Sequence, residues 1–192
     1  MSKSEQTRKL VVMALLVAVS VVLIYAVRFP LVPAAAFLEY DPADIPILIG
    51  ALAYGPVAGV MLTVVASIIQ GLTVSASSGL YGIVMHIIAT STLVVVASSI
   101  YRVKHTRNGG ILGLVMGTLA MGLIMMPANH FITPMFTGWP TAMVDELLIP
   151  GILPFNLLKA GINSVITFLV YKTVSRYIIH GESWAQHKQA NT

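Results

Sequence analysis

The sequence contains no cysteine, which excludes disulfide bonds and thiolate metal sites. Charged residues are also scarce: they make up 9% of the 192 residues, whereas a soluble domain carries about 25%. The sequence motifs of zinc proteases, serine hydrolases and P-loop ATPases are absent, and no two carboxylates share a helix face. A soluble domain is therefore excluded and catalysis has no support, so that any uphill transport would need a partner that hydrolyses ATP.

Apolar residues, in contrast, make up 57% of the chain, and the mean hydropathy is +0.87. Several apolar runs are long enough to cross a bilayer, which takes about 20 residues. We predict an all-α membrane protein in which residues 1–192 form a single integral membrane domain, a bundle of six transmembrane helices. The predicted helices cover about residues 9–28, 43–54, 56–75, 80–101, 110–132 and 153–178. The second is too short to cross upright, so we expect it to dip partway and turn at Gly55 and Pro56 into the third.

The basic residues collect on one side of this predicted bundle. Nine of the eleven lysines and arginines lie at the two ends of the chain or between the fourth and fifth helices: Lys3, Arg8, Lys9, Arg102, Lys104, Arg107, Lys172, Arg176 and Lys188. By the positive-inside rule, both termini face the cytoplasm. Because these residues flank spans instead of forming one basic face, the pI near 9.5 does not indicate a nucleic-acid partner.

Two long connections remain on the outer side, at about residues 29–42 and 133–152. Both are rich in proline, aromatic and apolar residues, which argues against disorder. Loops of this length in a compact fold are typically functional lids. We therefore expect a covered cavity that opens outward.

Polar residues in the last predicted helix are the main candidates for a site. Asn156, Lys159 and Asn163 are spaced three and four residues apart and so share one face. A buried ammonium group is costly unless it is paired. Lys159 could instead extend to the outer interface, and the asparagines could join helices. Amide and ammonium groups together also offer the donors that a polyol or carbonyl ligand would use.

Further polar candidates lie at the same outer level. Asn129 ends the fifth predicted helix close to the level of Asn156. Glu39 in the first outer connection is either a ligand-binding carboxylate or a solvated loop acid, and Asp44 is expected to cap the second helix. His130 has no second histidine or acid at ligand spacing, so we predict no metal site.

The sequence resembles the substrate-binding S components of energy-coupling factor (ECF) vitamin transporters, and within that family the riboflavin-specific member. The resemblance covers nearly the whole chain, and the blocks from Glu39 to Gly50 and from Pro154 to Lys159 favour riboflavin over thiamine, biotin or folate. The matching residues are Ala14-x-x-x-Ala18, Phe37-Leu38-Glu39-Tyr40-Asp41-Pro42-Ala43-Asp44-Ile45-Pro46-Ile47-Leu48-Ile49-Gly50, Tyr54-Gly55-Pro56, Asn129 before Ile132-Thr133-Pro134, and Pro154-Phe155-Asn156-Leu157-Leu158-Lys159.

This resemblance implies a multi-pass protein of the bacterial cell membrane that is not an enzyme and needs no cofactor. It would bind riboflavin from outside beneath the first outer connection and dock on a transmembrane coupling subunit driven by two cytoplasmic ATPases. Ala14 and Ala18 would mark the docking surface. The residues implied for substrate binding are Asn129, Asn156, Lys159 and Glu39.

Three alternatives remain open at this point. The ligand could be another vitamin or FMN, whose phosphate would demand extra cationic donors. The protein could be a small membrane enzyme that uses His86 or His130 as an acid or base, in which case the two would lie together. It could also be a scaffold in which the polar face of the last helix only joins a partner helix.

Overall fold

The computed structural model describes residues 3–175 and is almost entirely helical. Its α-helices are α1 (Lys3–Ala26), α2 (Asp44–Tyr54), α3 (Pro56–Leu72), α4 (Gly79–Val103), α5 (Arg107–Thr137), α6 (Thr141–Leu147) and α7 (Leu153–Val174). The predicted all-α membrane fold is confirmed, and six of these helices correspond to the six predicted ones. Residues 176–178 of the last predicted helix lie outside the described residues, as do Arg176 and Lys188.

Four segments of the described chain are long and apolar enough to span a membrane: α1, α4, α5 and the continuous stretch Thr141–Val174. The apolar helices α2 and α3 are shorter. In the bundle, α1 packs against α2 and α3, α4 packs against α3 and α5, and α7 packs against α2 and α5. The short helix α2 therefore lies at the centre of the bundle.

Helix α2 is long enough to cross only about half of a membrane. Its 11 residues span about 16 Å, whereas the hydrocarbon core is about 30 Å thick. The Tyr54 ring at its end lies 5.4 Å from the ammonium group of Lys9, so this end is at the cytoplasmic level. Gly55 then takes a φ of 94°, which favours glycine, and Pro56 begins α3. The beginning of α2 is consequently near mid-membrane, in agreement with the predicted partial crossing.

The first outer connection, residues 27–43, is called loop 1 below. It contains a short antiparallel pair of strands, β1 (Phe29–Pro30) and β2 (Glu39–Tyr40), with Phe29 opposite Tyr40. A 3₁₀ turn at Pro33–Ala35 lies between the strands. Loop 1 descends from the end of α1 to the buried start of α2.

The prediction of a second long outer loop, at about residues 133–152, is wrong. Helix α5 continues through Pro127 and Pro134 to Thr137, and Gly138 ends it in the left-handed region with a φ of 72°. Helix α6 and a π-helical turn, Leu148–Ile152, then lead directly into α7. Proline is tolerated inside transmembrane helices because neighbouring groups satisfy the freed backbone.

Candidate functional site

A cavity of about 160 Å³ lies beneath loop 1, between that loop and helices α3, α4, α5 and α7. Methionines and aromatic rings supply its apolar walls, and loop 1 and α7 supply most of its charged groups. The residues that line it include Arg28, Phe37, Leu38, Glu39, Asp41, Ser67, Gln70, Ser75, Tyr81, Met85, His86, Met121, Met125, Phe155, Asn156 and Lys159. The predicted outward cavity is thus present in the fold.

Three of the four residues expected to bind substrate line this cavity: Glu39, Asn156 and Lys159. Asn129 does not line it. Asn129 is 1% exposed, and its side-chain Nδ2 donates to the Met125 carbonyl at 2.8 Å. Its Oδ1 accepts a hydrogen bond from Thr133, whose hydroxyl also meets the Tyr81 hydroxyl at 2.8 Å. Asn129 therefore reaches the cavity only indirectly, through Tyr81.

Lys159 is buried and does not extend to the outer interface. Its side chain is 8% exposed, and Nζ donates to Asp41 Oδ2 at 2.7 Å. The other oxygen of Asp41 accepts the Ala43 N–H at 3.1 Å, so both carboxylate oxygens are occupied. Pairing with a carboxylate offsets the desolvation of the ammonium group. This ion pair ties loop 1 to α7 at the wall of the cavity.

A second buried carboxylate, Asp44, extends this polar network behind the cavity. Asp44 Oδ1 accepts a hydrogen bond from Thr90 at 2.7 Å, and Oδ2 accepts one from Asn163 at 3.1 Å. The amide of Asn163 also donates to the Asp41 carbonyl at 3.2 Å. The expectation that Asp44 caps α2 is wrong, because its side chain makes no capping bond and instead joins α2 to α4 and α7.

Tyr40 completes the connection between loop 1 and α7. Its hydroxyl donates to Asn163 Oδ1 at 2.9 Å. Burial of the ring and, after it, the negative charge of Asp41 raise the pKa of the Tyr40 phenol. The phenol therefore stays protonated at neutral pH and keeps its role as a donor.

His86 and Ser67 lie on the α3 and α4 side of the cavity. The Ser67 hydroxyl is 2.6 Å from His86 Nδ1, and the same hydroxyl donates to the Thr63 carbonyl at 2.6 Å. His86 Nε2 lies 3.4 Å from Asp44 Oδ1 without forming a hydrogen bond. Close by, Gln70 Oε1 is buried without a hydrogen-bond partner among the described residues. It is an acceptor available to a ligand.

The outer rim of the cavity is held by an ion pair and an aromatic contact. Arg28 forms an ion pair with Glu39 across the two strands and also donates to the Val74 carbonyl at 2.8 Å. The Phe37 ring of loop 1 meets Trp139 edge to face, with ring centroids 5.6 Å apart. Loop 1 is therefore fastened both to the end of α3 and to the segment that precedes α6.

His130 lies away from this cavity, on the outer surface. Its Nδ1 is 2.6 Å from a carboxylate oxygen of Asp145 in α6, a partner that the sequence analysis did not identify. Within residues 3–175, no group of three histidine or acidic side chains is placed to hold a metal ion. His86 lines the cavity and His130 does not, so the two histidines do not share one site.

The residues that the sequence analysis missed are Asp41, Thr90 and Gln70, together with the network role of Asp44. Part of the signal was present, because Asp41 and Asp44 are three residues apart and precede an apolar helix. These two acids are complementary to the donors Lys159 and Asn163, which are four residues apart on another segment. The pairing itself joins residues 118 to 119 positions apart and has no local signature.

Comparison with known proteins agrees with this architecture. The family described as "ECF transporter, substrate-specific component" matches residues 8–171. The chain belongs to this family. It is thus an S component, a multi-pass bacterial membrane protein, and S components work with a separate energising module.

Individual relatives share modest identity with this S component. The riboflavin transporter FmnP of Bacillus subtilis is 28% identical over 181 residues, which cover 90% of this chain and 95% of that protein. The riboflavin transporter RibU of Streptococcus thermophilus is 29% identical over 181 residues, covering 90% of this chain and 85% of that protein. RibU of Staphylococcus aureus is 24% identical over 180 residues, covering 91% and 94%.

A solved structure of the S component of a bacterial ECF transporter has the same fold. It matches with a TM-score of 0.79 and 25% sequence identity, over 90% of this chain and 98% of that chain. The short helix α2 and the cavity beneath loop 1 therefore belong to a fold already known for S components.

Proposed function

We propose that this S component captures riboflavin from outside in the cavity beneath loop 1 and delivers it inward together with an energising module. The observation that carries the proposal is the combination of apolar walls with a few fixed polar groups. Riboflavin joins a flat, largely apolar ring system to a hydroxylated chain, and such ligands suit a mostly apolar site with a small number of placed donors and acceptors. The three riboflavin transporters among its relatives support the same ligand.

The polar groups of the cavity are complementary to this ligand. Lys159 has three N–H donors, and its hydrogen bond to Asp41 uses one of them. Asn156 lies one helical turn before it on the same wall. Gln70 Oε1 provides an acceptor for the ring N–H, and Glu39 provides one for hydroxyl groups. Because Lys159 is already paired, it is held in place before the ligand arrives.

Loop 1 would act as a lid in this mechanism. The cavity of about 160 Å³ is smaller than the roughly 300–1,000 Å³ that ligand pockets usually occupy. Riboflavin would therefore enter only after loop 1 moves outward. The contacts that would break and re-form are the hydrogen bond from Arg28 to the Val74 carbonyl and the Phe37–Trp139 ring contact.

The charges around the cavity favour riboflavin over FMN. A phosphate needs cationic donors, and the described lysine and arginine residues that line the cavity are Arg28 and Lys159. Each already pairs with a carboxylate, Glu39 or Asp41. A dianionic phosphate would add negative charge beside these two acids, so the geometry supports the uncharged ribityl chain.

The delivery step would need partners on the cytoplasmic side. We infer that the chain acts as one membrane domain and docks on a transmembrane coupling subunit that two ATPases drive. Ala14 and Ala18 are both exposed on α1 and lie four residues apart, so they present a small, flat strip to the membrane. Small residues at this spacing allow close approach of another helix. An enzyme that uses both histidines is disfavoured, since His86 and His130 are not in one site.

The test is a fluorescence titration of the purified protein with riboflavin. We expect saturable quenching, and a loss of at least about tenfold in affinity for Lys159→Ala and Asn156→Ala, because each removes a hydrogen bond to the ligand. Asn129→Ala is the matched control: it also removes a buried amide, but one that does not line the cavity. Its effect on affinity should be clearly smaller than that of Asn156→Ala.

Unchanged affinity in both Asn156→Ala and Lys159→Ala, with riboflavin still bound, would contradict the assignment of the site. Absence of riboflavin binding by a folded sample would contradict the choice of ligand. FMN binding as tight as riboflavin binding would refute the charge argument.

A further inference from the structure

A second cavity lies at the cytoplasmic ends of α4, α5 and α7 and is larger than the first, at about 970 Å³. Its ionisable side chains include His105, Arg107 and Lys172, and no described acidic residue lines it. Arg107 and Lys172 belong to the basic set that marks the cytoplasmic side. The cavity therefore concentrates positive charge at the inner surface of the membrane, far from loop 1.

This cavity continues into an apolar groove between α5 and α7. Leu114 and Phe168 line both the cavity and the groove, which has a volume of about 390 Å³. The guanidinium carbon of Arg107 lies 5.5 Å from the centroid of the Phe168 ring, so the cation sits at the junction. The hydroxyls of Thr118 and Ser164 in the groove are 3.2 Å apart and bond to each other. The groove thus presents an almost purely apolar surface.

The length of this combined feature matches one leaflet of a bilayer. Arg107 lies at the cytoplasmic end of the cavity and Leu119 at the mid-membrane end of the groove. Between these two residues α5 advances 12 positions, which corresponds to about 18 Å. Half of the hydrocarbon core is about 15 Å. A chain lying along the groove would therefore extend from the inner interface to the middle of the membrane.

Gly161 keeps the groove open where α7 passes it. Glycine is the least favourable residue in a helix interior after proline. Packing within the bundle does not require it here, because a Cβ added at Gly161 would meet no atom within 4 Å. Any larger side chain at this position would project into open space along the groove.

We propose that the basic cavity and the groove together bind one anionic phospholipid of the cytoplasmic leaflet. Its phosphate lies between Arg107 and Lys172, and one acyl chain lies along the groove beside Gly161. A lipid fits because the basic cavity joins the apolar groove and the two together span one leaflet. A soluble anion would leave the groove empty, and a cytoplasmic peptide would not reach the middle of the membrane. Basic pockets between helices on this side of a membrane suit anionic headgroups. The proposal does not depend on which ligand the S component transports.

The test is native mass spectrometry of the detergent-purified protein with phosphatidylglycerol and with phosphatidylcholine of the same acyl chains. Wild-type protein should prefer phosphatidylglycerol. The double variant Arg107→Gln/Lys172→Gln should lose about 30-fold in affinity for it, because each interfacial cation contributes about fivefold. The control Lys3→Gln/Lys104→Gln removes the same charge from the same side but outside the cavity and should keep the preference. Gly161→Leu should lower the affinity for both lipids by about the same factor, because it fills the groove and leaves the basic cavity unchanged. A cooperative thermal unfolding transition in each variant shows that the protein is folded.

Three results would overturn the proposal. One is equal binding of both lipids by the wild-type protein, and another is an equal loss in the control and the Arg107/Lys172 variant, which would indicate general surface attraction. The third is binding of glycerol 3-phosphate as tight as that of phosphatidylglycerol, since the groove would then contribute nothing.

Discussion

The buried ion pair between Lys159 and Asp41 makes a quantitative prediction about stability. Asp41→Asn preserves the size of the side chain but removes the carboxylate that accepts the Lys159 Nζ hydrogen bond at 2.7 Å. The side chains of both partners are less than a tenth exposed, so solvent cannot replace the lost partner. The asparagine oxygen can serve either Lys159 or the Ala43 N–H, but its amide group then faces the other donor.

Breaking a buried pair by removing one partner costs about 3–5 kcal/mol. We take the lower end, about 3 kcal/mol, because Asn163 and Asp44 keep the surroundings polar. For a chain of this size, 1 kcal/mol shifts Tm by about 2–4 °C, so Asp41→Asn should lower Tm by roughly 6–12 °C. The matched control is Glu39→Gln, two residues earlier in loop 1. Its pair with Arg28 is about a third exposed and should be worth less than about 1 kcal/mol.

The assay is thermal unfolding in detergent without riboflavin, so that ligand binding does not contribute. The double variant Asp41→Asn/Lys159→Met should recover much of the loss, because it removes the unpaired ammonium group as well. The reasoning is refuted if Asp41→Asn and Glu39→Gln unfold within about 2 °C of each other, or if the double variant is no more stable than Asp41→Asn alone.

Three further predictions follow from single contacts. Thr90→Val removes the hydrogen bond to the buried carboxylate of Asp44 and should lower the free energy of unfolding by about 1.5–3 kcal/mol. Thermal unfolding measures the loss, with the conservative variant Thr90→Ser as the control. Gly59→Val should prevent proper folding, because its Cβ would lie 2.6 Å from the Cβ of Ala51. Gly161→Ala should raise Tm slightly, because the new Cβ would meet no atom within 4 Å. Comparable Tm values for the two variants would contradict this packing. Trp139→Ala removes the ring contact with loop 1 and should speed riboflavin release about 2- to 12-fold in stopped-flow fluorescence, and an unchanged rate would argue against a lid.

Hydropathy and charge were sufficient to predict most of the architecture. The six main helices, the short second segment and the basic cytoplasmic side depend on local composition, which the bilayer constrains strongly. The same rules misjudged the region after residue 132, because Pro134 indicates a helix end in water but is tolerated inside a transmembrane helix.

The polar face of α7 was predictable, but its partners were not. Lys159 and Asn156 stood out because an ammonium and an amide are expensive in an apolar run. The choice between an exposed and a buried Lys159 depended on Asp41, which is 118 residues away and looked like an ordinary loop acid. Such long-range pairings leave no periodic pattern in one sequence, so the site could be located from the sequence but its electrostatics could not.

The half-length of α2 has a consequence for the work of transport. Loop 1 reaches down to the buried start of this helix, and Asp41 at that depth lines the cavity. A vitamin in the cavity would therefore already have passed roughly one leaflet of the membrane by diffusion alone. The movement that the energising module drives would then have to carry it across only the remaining half, along a path about as long as α2 itself.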